Sequence, residues 1–126
     1  MYEAKLEKEI RCPLEYGLDI FGGKWKSRIL CVLAAGKSLR YKDLKTELGN
    51  VTDAVLAAML KELATDGMIT RRQYEEIPLR VEYALAEKGE SVLPILQNVC
   101  VWSNAYYREK NRENFLPPCK NCTVIN

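Results

Sequence analysis

The sequence predicts a mainly α (α+β) fold: four short helices, a two-stranded β-hairpin and one long C-terminal helix. Three observations carry this. Apolar residues recur at helical spacing through most of the chain, glycine or proline stands at the segment boundaries, and strand-favouring residues are confined to the stretch from Met68 to Ala84.

Each element follows from local chemistry. Cys12-Pro13 opens the first helix, because proline at the first helical position lacks an N–H that would have no partner there. That helix runs to about Phe21 and Gly22-Gly23 breaks it. The second, from about Lys24 to Ala35, spreads Trp25, Ile29, Leu30, Val32 and Leu33 over more than half its circumference, so it is expected to be central and mostly buried, with Gly36 as its stop. Ser38-Leu39 reads as a short extended link. Tyr41 to Leu48 forms a two-turn helix ended by Gly49. Thr52 or Asn50 then caps a helix ending before Gly67, whose Leu56, Met59, Leu60 and Leu63 form an inward stripe. Met68–Tyr74 and Arg80–Ala84 pair as a hairpin around the polar loop between them. The last helix runs from about Ala86 to about Arg112, with Gly89 in its first turn and Pro94 expected to bend it.

A chain of 126 residues fits a single domain: a body at about 13–89, dimerisation elements at about 1–12 and 90–112, and an irregular tail at 113–126. With 48% hydrophobic and 29% charged residues, a packed core is expected rather than a disordered chain. The longest apolar run, Ile29 to Ala35, is too short to span a membrane, and Met1 to Arg11 lacks an apolar secretory region. The five irregularly spaced cysteines do not form an extracellular disulfide pattern, so a cytoplasmic location is expected.

Two short helices joined by a tight glycine-containing turn and followed directly by a hairpin describe a winged helix-turn-helix. The charge distribution suits nucleic acid. Between Lys24 and Lys45 lie seven basic residues and one acid, Asp43, although the whole chain carries only +2, so a local basic field is available to phosphates. The helix from Thr52 to Asp66 turns Ala54, Ala57, Ala58, Lys61 and Thr65 outward. Alanine's helix propensity accounts for part of this, and a small face also lets a helix backbone approach base edges in the major groove. Thr52 and Asp53 lead that helix, and Arg40, Tyr41 and Lys42 stand where flanking phosphates would lie. In the hairpin, Glu75 and Glu76 oppose a basic tip, which leaves Arg80, ahead of Arg71 and Arg72, as the expected backbone contact. The expected partner is double-stranded DNA.

The last helix carries more apolar surface than one small core absorbs. Val92, Leu96, Val99, Ser103 and Tyr106 line a stripe that Ile95 and Trp102 widen. Self-association through Leu96, Val99, Trp102, Ser103 and Tyr106 is the simplest cover, because a two-fold dimer sets two reading helices in successive major grooves.

The run Cys12-Pro13-Leu14 through Gly22-Gly23-Lys24-Trp25-Lys26, then Leu39-Arg40-Tyr41 with Leu44, Leu56 through Leu60, Leu63, Asp66-Gly67-Met68-Ile69, Arg71-Arg72, Pro78, Val81-Glu82-Tyr83-Ala84-Leu85 and Lys88-Gly89 resembles the HxlR family of bacterial winged-helix regulators, relatives of the MarR group. The resemblance spans about residues 10–108. It implies a homodimer on a pseudo-palindromic operator, with the Thr52 helix as reader and the terminal helices as dimer contacts. Some family members sense oxidants or electrophiles through a cysteine at the place of Cys12. The local chemistry permits it, since a thiol at a helix N-terminus beside Arg11 is set to react as thiolate. Two readings of Cys12 stand: a sensor whose modification alters dimer geometry, or a small buried or capping residue. If thiol sensing is absent, the alternative is a small-molecule effector between the terminal helices and the body, lined by Tyr16, Trp25 and Trp102.

An enzyme is the main rival class, but the chain has no histidine, no glycine-rich phosphate loop and no paired acids at a strand end. A winged helix that binds protein instead of DNA is the other rival. Cys119 and Cys122 form a lone C-x-x-C that would need both subunits to complete a zinc site; no metal or cofactor is expected. Cys31 and Cys100 read as packing residues.

Overall fold

The computed structural model describes residues 9–110. In chain order it contains α1 (Pro13–Phe21), α2 (Lys24–Gly36), β1 (Ser38–Arg40), α3 (Tyr41–Leu48), α4 (Asp53–Thr65), β2 (Ile69–Tyr74), β3 (Arg80–Leu85) and α5 (Glu87–Lys110). The fold is the mainly helical winged helix-turn-helix, with a small antiparallel sheet and a long final helix. Most of the expected N-terminal dimer element and all of the expected tail, including Cys119 and Cys122, lie outside the described residues.

The sheet is larger than the hairpin that the sequence predicts. β1 adds a third strand, giving the order β1-β3-β2, with Leu39 opposite Tyr83 and Arg71 opposite Tyr83 on the other side. Three residues are too few for alternation to show in sequence. Ser38–Arg40 is extended because the free edge of β3 offers it unpaired N–H and C=O groups, and Ser38 Oγ adds a bond of 2.9 Å to Glu82 Oε1.

Helix ends follow the expected chemistry with one shift. Thr52, not Asn50, caps α4, its Oγ1 accepting from Val55 N at 3.2 Å. The end of α2 falls one residue later than expected: Gly36 stays helical, and Lys37 takes the positive φ of 65° and returns its N–H to Leu33 O.

α2 is central, touching α3, α4, α5, β1 and β3. Its Ile29, Leu30 and Leu33 are fully buried against Leu44, Leu48, Leu56, Leu60 and Leu63, so α3 and α4 are fixed to α2 by their leucines. Removing one such side chain typically costs about 2–5 kcal/mol, a large share of the roughly 5–15 kcal/mol by which a domain is stable. The start of α5 is seated equally closely. A Cβ on Gly89 would overlap the carbonyl oxygen of Met68, and Ala86 N–H donates to that same oxygen at 3.0 Å. Glycine is required there so that the long helix can leave the sheet in contact with the turn after α4. Beyond it, Val92 and Leu96 close the core.

Candidate nucleic-acid interface

α3 and α4 form the helix-turn-helix, and their mutual angle is fixed from both sides. On the inner side the leucines pack on α2. There too, Lys26 Nζ reaches Glu62 Oε1 at 2.8 Å and Asp19 O at 3.2 Å, with both side chains of the ion pair buried. The pair ties α2 to α4 and borders a cleft of about 530 Å³ whose lining includes Glu15, Leu18, Asp19 and Met59. Sequence reasoning missed it, because no spacing rule connects two residues separated by 36 positions.

On the outer side the leading turn of α4 is held by α3. Tyr41 Oη donates to Asp53 Oδ1 at 2.8 Å and Lys45 Nζ donates to the same oxygen at 2.7 Å. The Lys45 bond, and after it the Tyr41 bond, hold the Asp53 carboxyl below the usual carboxylate range. Burial first, and then the bond to Asp53, push the Tyr41 hydroxyl up to about 12. Tyr41, expected at a phosphate, is therefore a strut between the two helices. Thr52 has its hydroxyl committed to the cap.

What remains outward is the small face of α4. Ala54, Ala57, Lys61 and Thr65 are exposed and Ala58 is half-buried. Arg40 and Lys42, at the start of α3, are also exposed, and the ion pairs among the described residues do not engage Arg40, Lys42 or Lys61. A surface strip therefore carries small residues in its middle and cations at its edges.

The wing differs from expectation. Arg80 is enclosed: its guanidinium lies 2.6 Å from Glu76 Oε2, 3.0 Å from Glu82 Oε2 and 3.6 Å from the centre of the Tyr74 ring. Two carboxylates already meet the charge of Arg80, the residue expected to contact the DNA backbone. Arg71 and Arg72 are the exposed cations of β2, and Ile77 at the loop tip is fully exposed.

The expected dimer seam splits along α5. Leu96 is only 7% exposed and faces the core, which corrects its expected place on an outer surface, whereas Val99 (51%), Trp102 (65%) and Tyr106 (58%) project outward, with Ser103 half-buried. The Trp102 and Tyr106 rings meet with centroids 5.4 Å apart and planes tilted by 42°. Ile95 on α5 and Leu14 and Leu18 on α1 are also exposed apolar residues. Leu96 was misplaced because a stripe at i, i+4 and i+7 spacing does not show where a helix passes from core to surface.

Cys12 is exposed, which corrects the buried reading; it stands at the N-cap of α1, where its carbonyl accepts from Tyr16 N and its thiol makes no cap bond. Nor is Arg11 aimed at the thiol, since its guanidinium is held by Glu15 at 3.0 Å. Cys31 and Cys100 are partly buried. The three aromatics expected around an effector have separate neighbours: Trp25 lies under Lys24 and Arg28, Tyr16 takes a bond from Lys88, and Trp102 meets Tyr106. Among the described residues no group of acids and cysteines is arranged to hold a metal ion, and no helix is long and apolar enough to cross a membrane.

Comparison with known proteins agrees with this geometry. Residues 20–111 match the family model described as HxlR-like helix-turn-helix. The uncharacterized HTH-type transcriptional regulator YdzF of Bacillus subtilis is 44% identical over 95 residues, which cover 75% of this chain and 87% of that protein. Among solved structures, the HTH-type transcriptional regulator ytcD superimposes with a TM-score of 0.74 at 36% identity, over 78% of this chain and 99% of that one. The redox regulator HypR in its oxidized form gives 0.69 at 32% identity, over 75% of this chain and 96% of that one.

Proposed function

The chain belongs to the HxlR-like helix-turn-helix family of transcriptional regulators, and on that premise we propose that it acts as a homodimer on a pseudo-palindromic, double-stranded DNA operator. The observation that carries this is the outward strip of α4, with Ala54 and Ala57 exposed between Lys61 on one side and Arg40 and Lys42 on the other. Small side chains let the helix backbone come within reach of base edges, and the cations neutralise the phosphates that flank the groove. The body at about 13–89 presents this strip. Arg80 belongs to the framework of the wing, and Arg71 and Arg72 supply its charge.

The dimer is formed through the exposed apolar residues of α5, Ile95, Val99, Trp102 and Tyr106, together with the exposed Leu14 and Leu18 of α1. Covering large apolar side chains by a second copy removes them from water and sets the two reading helices about 34–36 Å apart. Cys12 sits at the start of α1, beside this surface in sequence, and is exposed to solutes. Its oxidation or alkylation alters how α1 meets the partner, and through that the affinity for DNA. The likeness to the redox regulator HypR supports a response to oxidants.

One experiment tests all of this. Fragments of the source genome retained by the protein are selected, and binding to the best fragment is followed as salt is raised, with and without diamide, for the wild type and Cys12→Ser. Expected are a steep salt dependence, two protomers per site, and a diamide response confined to the wild type. Absence of any retained duplex overturns the DNA reading; an equal diamide response in Cys12→Ser overturns the sensor.

A further inference from the structure

We infer that Asp53 is a base-reading residue that selects cytosine at one position of each operator half-site. This rests on the DNA-binding reading above and specifies what that surface recognises. Asp53 is the first residue of α4, the place from which reading helices touch base edges. Both side-chain bonds it accepts fall on Oδ1, from Tyr41 Oη and Lys45 Nζ, while the side chain stays 70% exposed. The carboxylate is thus held by one oxygen, and no donor among the described residues is bonded to Oδ2. An acceptor fixed in advance loses little side-chain freedom on binding.

The chemistry of the groove then selects its partner. Guanine offers only acceptors, N7 and O6, which repel a carboxylate. Thymine offers an acceptor and a methyl group, and adenine sets its N7 acceptor beside its amino donor. Cytosine presents its N4 amino donor without a neighbouring acceptor of its own, and is the base a carboxylate reads best. Lys45 also lowers the cost of bringing a negative group near phosphates, because its ammonium stays paired with the carboxylate at 2.7 Å.

The test is selection from a duplex library with each half-site randomised, comparing base preferences of the wild type, Asp53→Ala, Asp53→Asn and Tyr41→Phe. The wild type is expected to hold a cytosine about tenfold over other bases at one position in each half-site. Asp53→Ala flattens that position and leaves the others. Asp53→Asn, with a donor added beside its acceptor, moves the preference to adenine, and Tyr41→Phe weakens the cytosine preference alone. An equal fall in affinity at every position, or a flattened position that had held another base, overturns the inference while DNA binding stands. A wild type that selects no sequence overturns the DNA reading itself, and this inference with it.

Discussion

The corner between α3 and α4 and the Arg80 end of β3 each set basic side chains near a fixed carboxylate, yet Arg40, Lys42 and Lys61 are left outside its bonds while Arg80 is enclosed. At the corner, the acid that meets the cations, Asp53, takes up Lys45 and Tyr41 and leaves Arg40, Lys42 and Lys61 outside its bonds. In the wing, Glu76 and Glu82 close on Arg80 over the Tyr74 ring. The difference teaches that a cation's availability to a phosphate depends on where the nearest carboxylate is fixed, and that a count of basic residues does not reveal it.

The strongest way to break the comparison is from behind the corner. Lys26→Met takes the ammonium away from the largely buried Glu62 carboxylate and is expected to destabilise the protein by about 3 kcal/mol in urea unfolding, whereas Lys26→Met combined with Glu62→Leu recovers most of that loss. Equal stability of the single and double variants would show that the pair does not hold α4.

The availability of the cations is tested next. Arg40→Ala or Lys61→Ala should each lower DNA affinity about fivefold to tenfold at low salt and reduce the log–log salt slope by about 1.8, since a dimer loses two phosphate contacts. Arg80→Ala should change affinity by less than about twofold. An Arg80→Ala effect as large as the others would put the two regions on the same footing.

The smallest effect sharpens the corner through pH. The folded carboxyl of Asp53 lies below its unfolded value of about 3.9, so its contribution to stability is present above that pH and is lost as pH falls through the lowered value. Tyr41 runs the other way. Its folded value is raised from 10.0 to about 12, so its contribution is complete below pH 10 and is lost as pH rises toward 12. Thermal melts across pH should show the acid arm shrink in Asp53→Asn and the alkaline arm shrink in Tyr41→Phe.

Most of the architecture was legible because it rests on local rules. Pro13 starts α1, Thr52 caps α4, and the leucine stripe of α4 turns inward as its spacing requires. The alanine face and its flanking cations were legible for the same reason, since the far side of a buried stripe is outward. What could not be read depends on neighbours remote in sequence. β1 is a strand only because β3 lies beside it, Lys26 finds Glu62 only once α2 and α4 have packed, and Leu96 is core only because α2 passes beneath it. Arg80 shows the same limit at short range: Glu82 is two residues away in the same strand, a spacing that puts both side chains on one face, and the pairing was still overlooked.

The close seat of Gly89 on Met68 has a mechanical consequence. α5 is roughly 36 Å long, and its root is clamped to the residue that follows α4 with no side chain between to act as a cushion. A displacement applied near Trp102 therefore reaches the base of α4 through one helix, whose bonding is interrupted at Pro94, and meets a close seat rather than a slack joint at its root. In the proposed dimer, small tilts between two copies of the chain would translate into the spacing and pitch of the surfaces offered to a duplex.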